Sequence, residues 1–169
     1  WKCSRLAESL PGFNYYKMNA GSRTAIGQGI GIVCTGINYA SFPEHGHPPA
    51  KEILLLDGIF SDETGDYPAG TYFRNPPGFR HSPFSEHGCV ILVKLHQFQD
   101  GDHAHITMDT NAGEWQIGQG NLKVLPLHEY GSESVALVHW PAGEKFHRHV
   151  HTGGQEIFVI RGEFIDEYG

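Results

Sequence analysis

The chain has 169 residues, 39% of them apolar and 18% charged, with a formal net charge of −7. This is globular composition for one ordinary domain or two small ones. The acidic balance excludes nucleic acid and anionic membrane surfaces as partners, because phosphate affinity comes from clustered Lys and Arg. No apolar run approaches the roughly 18–20 residues needed to cross a bilayer, and no basic-then-apolar leader opens the chain. It begins at Trp1, which reads as an incomplete start. Cys3, Cys34 and Cys89 are odd in number and far apart, so a reducing, cytoplasmic setting is expected and a disulfide framework is not. Cys34 and Cys89 fall in apolar runs and read as buried structural thiols.

With 22 glycines and 10 prolines, the pattern predicts short strands joined by tight turns. Helix has weak support anywhere, the best segment being a turn at 4–10. Residues 26–39 (IGQGIGIVCTGINY) read as strand. Residues 52–56 (EILLL) form a short apolar run ending at Asp57-Gly58, a hairpin turn signal. Ile59-Phe60 follow, with a second turn at 63–66. Residues 70–74 (GTYFR) alternate, and Asn75-Pro-Pro-Gly78 cannot be a central strand. Residues 89–98 (CVILVKLHQF) are the strongest strand. Polar, Gly-rich residues 99–121 read as a connection in which Trp115 tucks against a sheet. Strand patterning resumes at 122–127 and 135–140.

The chain contains an internal repeat. Residues 42–65 (FPEHGHPPAKEILLLDGIFSDETG) and 146–169 (FHRHVHTGGQEIFVIRGEFIDEYG) align without gaps at an offset of 104, with 10 of 24 positions identical. The second copy stops at the point matching Gly65. The expected organisation is one complete barrel over 1–110 and the front part of a second unit over 111–169.

His45-x-His47 places two imidazoles at i and i+2, the same face of a strand. Glu52 opens the next strand and His81 follows the Pro-Pro-Gly turn. Three imidazoles and a carboxylate suit one divalent metal, zinc first, with iron or nickel as alternatives. The same pattern recurs as His149, His151 and Glu156, without a counterpart of His81, so this second site is incomplete and expected to be metal-free or weakly occupied. His87, His96, His103, His105, His128 and His139 have no partner at ligand spacing and read as bystanders, as does His147. Gly27-Gln-Gly29-Ile-Gly31 lacks the spacing of a dinucleotide loop, so no organic cofactor is expected. No nucleophile-elbow, zincin or phosphate-loop motif occurs, and catalytic residues are not assigned.

The residues 42–98 carry His45-Gly-His47-x4-Glu52, the stretch EILLLDGIFSDETGDYPAGTYFRNPP, His81 and Gly88-Cys89-Val-Ile-Leu-Val-Lys94. Together with the partial copy at 146–169 they resemble the ChrR-type cupins, a group named after a zinc-binding anti-sigma factor. The resemblance implies an all-β double-stranded β-helix, or jelly roll. It also implies His45, His47 and Glu52 as first-motif ligands and His81 as the second-motif ligand. Pro48-Pro49 depart from the small glycines usual there, which the second copy keeps as Gly153-Gly154. The expected function is a metal-binding regulatory or sensing module, with a metal-dependent dioxygenase acting on a small molecule as the alternative. A sigma factor is implied as partner by resemblance only. A small-molecule ligand and a homodimer are further expected partners, the dimer because the unfinished copy leaves strand edges uncovered.

Overall fold

The computed structural model describes residues 15–16, 29–35, 40–41, 45–46, 50–95, 98–146, 150 and 154–166, with side chains from residue 50 onward. The turn expected at 4–10 lies outside them, as do His47, His149 and His151. Among the described residues every regular element is a strand, and no helix is long and apolar enough to cross a membrane.

The chain centres on β5 (Lys51–Asp62), the longest strand. Its first half lies between β10 (Cys89–Leu95) and β7 (Thr71–Asn75), antiparallel to both. β10 continues to β2 (Gly29–Thr35), and β2 to β1 (Tyr15–Tyr16), which runs parallel to it. On the other side β7 pairs with β11 (Ile106–Asp109). The second half of β5 turns away to pair with β6 (Gly65–Pro68) and β9 (Phe84–Ser85), and β9 pairs with β3 (Ala40–Ser41). β4 (His45–Gly46) and β8 (Arg80–His81) form a separate two-stranded ladder. β12 (Gln116–Ile117), β13 (Lys123–Tyr130) and β14 (Glu133–His139) form a third sheet. A long strand shared between two curled, largely antiparallel sheets is the jelly-roll arrangement expected from the sequence.

The apolar run 53–56 does not alternate because this strand is covered on both faces. One face carries Ile53, Leu55, Phe73, Cys89, Ile91 and Val93 into the inner core. The other carries Leu54, Tyr72, Leu56 and Leu92 against Leu125, Leu127, Val135 and Leu137 of the β13–β14 hairpin. The hairpin thus covers the outside of the first sheet. Trp115, expected against a sheet, is 42% exposed.

Asp57-Gly58 is not the hairpin turn that the dipeptide suggested. β5 runs straight through it, and the register opposite β10 shifts between Val90 and Ile91. The bulge adds one residue to β5 and so inverts which residues face inward. Leu55 is inside before it; beyond it Phe60 is buried and Ile59 is 48% exposed. Gly58 sits at φ 78°, and a Cβ there would lie 2.3 Å from the Gly88 carbonyl oxygen. We expect Gly58→Ala to destabilise the chain by more than about 2 kcal/mol, combining left-handed strain with a backbone clash. Chemical denaturation checks this, and a loss below about 0.5 kcal/mol would mean the corner is not rigid.

The repeat is visible in the strands. β2 and β14 span the same positions at the offset of 104. Beyond them the copies part. Residues 154–166, the counterpart of most of β5, carry no strand. Ile53 is 2% exposed, whereas its counterpart Ile157 is 46%; Phe60 is 8% and Phe164 is 38%. β5 is ordered by β7 and β10 at its flanks. Phe164 packs edge-on to Trp140, with ring centroids 5.4 Å apart.

Candidate functional site

The first two residues of β5 send opposite charges to opposite faces, as successive strand residues must. Lys51 has the parity of Ile53 and Leu55 and faces inward. Its Nζ lies on Nε2 of His81, which is fully buried. Nδ1 of His81 is 3.5 Å from Oδ2 of Asp62. Asp62 is held in turn by the Thr64 amide at 2.8 Å and the Thr64 hydroxyl at 2.6 Å. Phe60 and Phe79 flank the His81 ring. Burial pushes the Lys51 amine down to about 7, with Asp62 pulling the other way. Burial raises the Asp62 carboxyl, but Thr64 and His81 outweigh it and hold it below its ordinary value.

β8 places His81 directly opposite His45 on β4 in the ladder register. Opposed positions of an antiparallel pair are the closest that two strands bring residues. The fold therefore brings together two of the four residues expected at the first metal site, His45 and His81. Glu52 has the parity of Leu54, and its Oε2 accepts a hydrogen bond from Nη1 of Arg74 at 2.7 Å on the outer face. Lys51, one residue earlier, has the opposite parity and lies against His81. In the second copy, Glu156 is half exposed and its Oε1 lies 2.9 Å from Nζ of Lys94.

The outer face holds a cluster that spacing alone did not reveal. Arg74, on β7, is completely buried. Besides Glu52, its guanidinium donates from Nη2 to Oδ2 of Asp102 at 2.7 Å. It also meets both carboxylate oxygens of Glu133 at 3.2 Å, and its Cζ sits 3.9 Å from the Phe98 ring centroid. His128 on β13 places Nε2 2.9 Å from the same Oδ2 of Asp102. Oδ1 of Asp102 accepts from the Ala104 amide at 3.0 Å. Burial works against the Asp102 charge, but the Ala104 amide, His128 and Arg74 hold its carboxyl below the usual value. Burial also opposes the Arg74 charge, yet the Glu133 contacts move its pKa upward. One ligand atom from each of Asp102, His128 and Glu133 lies within 4.8 Å of the others, a group able to hold a metal ion.

Spacing makes His128 a bystander because its partners are distant in sequence. Asp102 lies in the connection and Glu133 opens β14. Only the packing of the hairpin on the first sheet joins them to Arg74. An arginine in the alternating strand 70–74 was the one available signal, since a buried guanidinium needs carboxylates around it.

A family model described as the ChrR cupin-like domain matches this chain twice, at residues 35–99 and 103–169. No curated protein matches. Among solved structures, the chain is similar to the crystal structure of Rhodobacter sphaeroides SigE in complex with the anti-sigma factor ChrR. Identity is 22% over 55% of this chain and 55% of that one, with a TM-score of 0.39. The chain thus spans about half the length of the solved chain it matches.

Proposed function

Because the chain belongs to the ChrR cupin-like family, we propose that it is a regulatory cupin module that binds one divalent metal through His45, His47 and His81. The observation that supports this most is the register pairing of His45 with His81. Neutral imidazoles are the donors that zinc, iron and nickel accept. Glu52 is held through Oε2 by Arg74, and the Lys51 amine competes for Nε2 of His81. Three imidazoles on a four-coordinate ion leave one position for water or a small ligand, whereas a fourth protein ligand closes the site. Such an ion would tie the β4–β8 ladder together, so that its gain or loss changes the fold's stability.

A sigma factor is the partner class that goes with this reading. It is carried over from the family and from nothing in the geometry above. The whole of the second site, His149, His151 and Glu156, is proposed to stay metal-free while Glu156 remains on Lys94.

The test is metal stoichiometry. Chelator-stripped protein titrated with Zn²⁺ and measured by elemental analysis after desalting should lose one equivalent in His47→Ala, and likewise in His81→Ala. Unchanged stoichiometry in both variants overturns the reading.

A further inference from the structure

Resting on the metal reading above, we propose that Asp62 is a positioning residue for His81. Its carboxylate keeps the ring proton on Nδ1 and leaves Nε2 with the lone pair that a metal takes. Asp62 is the last residue of β5 and His81 the last of β8.

Three observations carry it. The first is contact. Oδ2 of Asp62 lies 3.5 Å from Nδ1 of His81, the outer reach of a hydrogen bond. The two side chains are 6% and 0% exposed, so neighbours and not water choose the tautomer of the ring. The second is how the carboxylate divides its oxygens. Oδ1 takes the Thr64 amide at 2.8 Å, the Thr64 hydroxyl at 2.6 Å and the Tyr67 hydroxyl at 3.3 Å. These bonds close the turn between β5 and β6, and an asparagine would close it equally well. Oδ2 is not needed for that turn, and it is the oxygen that faces the ring. The third is the other nitrogen. Nζ of Lys51, a group carrying N–H donors, lies on Nε2. Donors meet Nε2 and an acceptor meets Nδ1, so both neighbours select the same tautomer.

A metal-ligating imidazole commonly gives its other N–H to a carboxylate, which fixes the ring and raises the basicity of the ligating nitrogen. Asparagine at 62 reverses this while keeping the shape. The Thr64 amide is a fixed donor and holds an oxygen at the Oδ1 place. The side-chain NH₂ then points at Nδ1, which must accept, and the ring proton moves to Nε2. The lone pair that a metal needs is thereby blocked. Alanine at 62 presents no donor and leaves the tautomer to Lys51, but it also removes the turn.

Chelator-stripped, ¹⁵N-labelled protein is examined by long-range ¹H–¹⁵N correlation spectra, in which the two neutral imidazole tautomers differ. His81 is assigned by its contacts to the Phe60 and Phe79 rings. The wild type should hold the proton on Nδ1 and Asp62→Asn should hold it on Nε2. Zn²⁺ affinity, measured by competition with a chelating dye, should fall at least about tenfold in Asp62→Asn and less in Asp62→Ala. Stability in urea should run the other way, with Asp62→Ala the weaker fold. A merely structural role would make affinity follow stability. An unchanged tautomer in Asp62→Asn, or affinity that falls in step with stability, overturns the proposal and leaves the metal reading standing. Wild-type protein that takes up no zinc overturns the metal reading instead, and the spectra of the stripped protein still decide whether Asp62 sets the tautomer. Where Asp62→Asn does not fold, the wild-type spectrum carries the test, and a proton on Nε2 there overturns the proposal.

Discussion

Arg74→Ala should lower stability by about 3–5 kcal/mol at neutral pH, the cost of breaking a buried charge cluster by removing one partner. The guanidinium is wholly buried and meets Glu52, Asp102 and Glu133 at once. Without it, Glu52, Asp102 and Glu133 lose the cation that they share. Arg74→Lys should recover less than half of the loss, because a point charge cannot satisfy the two oxygens of Glu133 and the two other carboxylates together. The pH dependence separates charge from packing. In the wild type Asp102 is held below its ordinary value, so its contribution is present above about pH 4 and is lost as pH falls through the depressed folded value. In the variant the stranded carboxylates are raised instead. Their penalty is complete above the raised folded value and is relieved as pH falls toward the ordinary one. Urea denaturation at pH 7.5 and pH 5 should therefore show the gap between the two proteins narrowing at pH 5. A gap of equal size at both would assign the loss to packing around Phe98 and not to the carboxylates.

The main strands were legible in the sequence because β propensity, turn glycines and the repeat all point the same way. Residues 70–74, 89–98, 122–127 and 135–140 correspond to β7, β10, β13 and β14. β11 was not legible, since a four-residue edge strand inside a polar connection has no run of its own and exists only by pairing with β7. Asp57-Gly58 misled for a related reason. The same dipeptide that closes a hairpin also serves a bulge, and the choice is made by whether a neighbour such as β10 continues past it. The site divides likewise. His45 and His81 were found from spacing and resemblance, and the ladder brings them together. The side of the strand on which Glu52 falls was not readable. Parity along β5 is set by its inner partners Phe73 and Val93, which are distant in sequence. The cluster around Arg74 was invisible because its members converge only through the packing of one repeat upon the other.

Lys51→Met should stabilise the metal-stripped protein at and below neutral pH, and the gain should vanish toward pH 10. Lys51 is 5% exposed, among inward-facing apolar side chains and against His81. Burial brings its amine from 10.5 to about 7. Between those values the unfolded chain holds a proton that the folded chain has released, so wild-type stability rises with pH across this window. Below pH 7 both states are protonated and the cost of the buried ammonium is complete; above about 10.5 both are neutral and it is gone. At about 1.4 kcal/mol per pH unit the whole window amounts to about 4–5 kcal/mol at most. Methionine keeps the length of the stem without the charge, so its stability should be flatter over the same range. Denaturation curves at pH 6, 8 and 10 decide the matter. Parallel profiles for the two proteins would show that Lys51 keeps its proton inside the barrel. The same substitution removes the amine from Nε2 of His81, so Zn²⁺ affinity at His45, His47 and His81 should rise, more at pH 7 than at pH 9, because protonated Lys51 opposes a cation. Zinc affinity lower in Lys51→Met than in the wild type would show that the lysine supports the ion instead of competing with it.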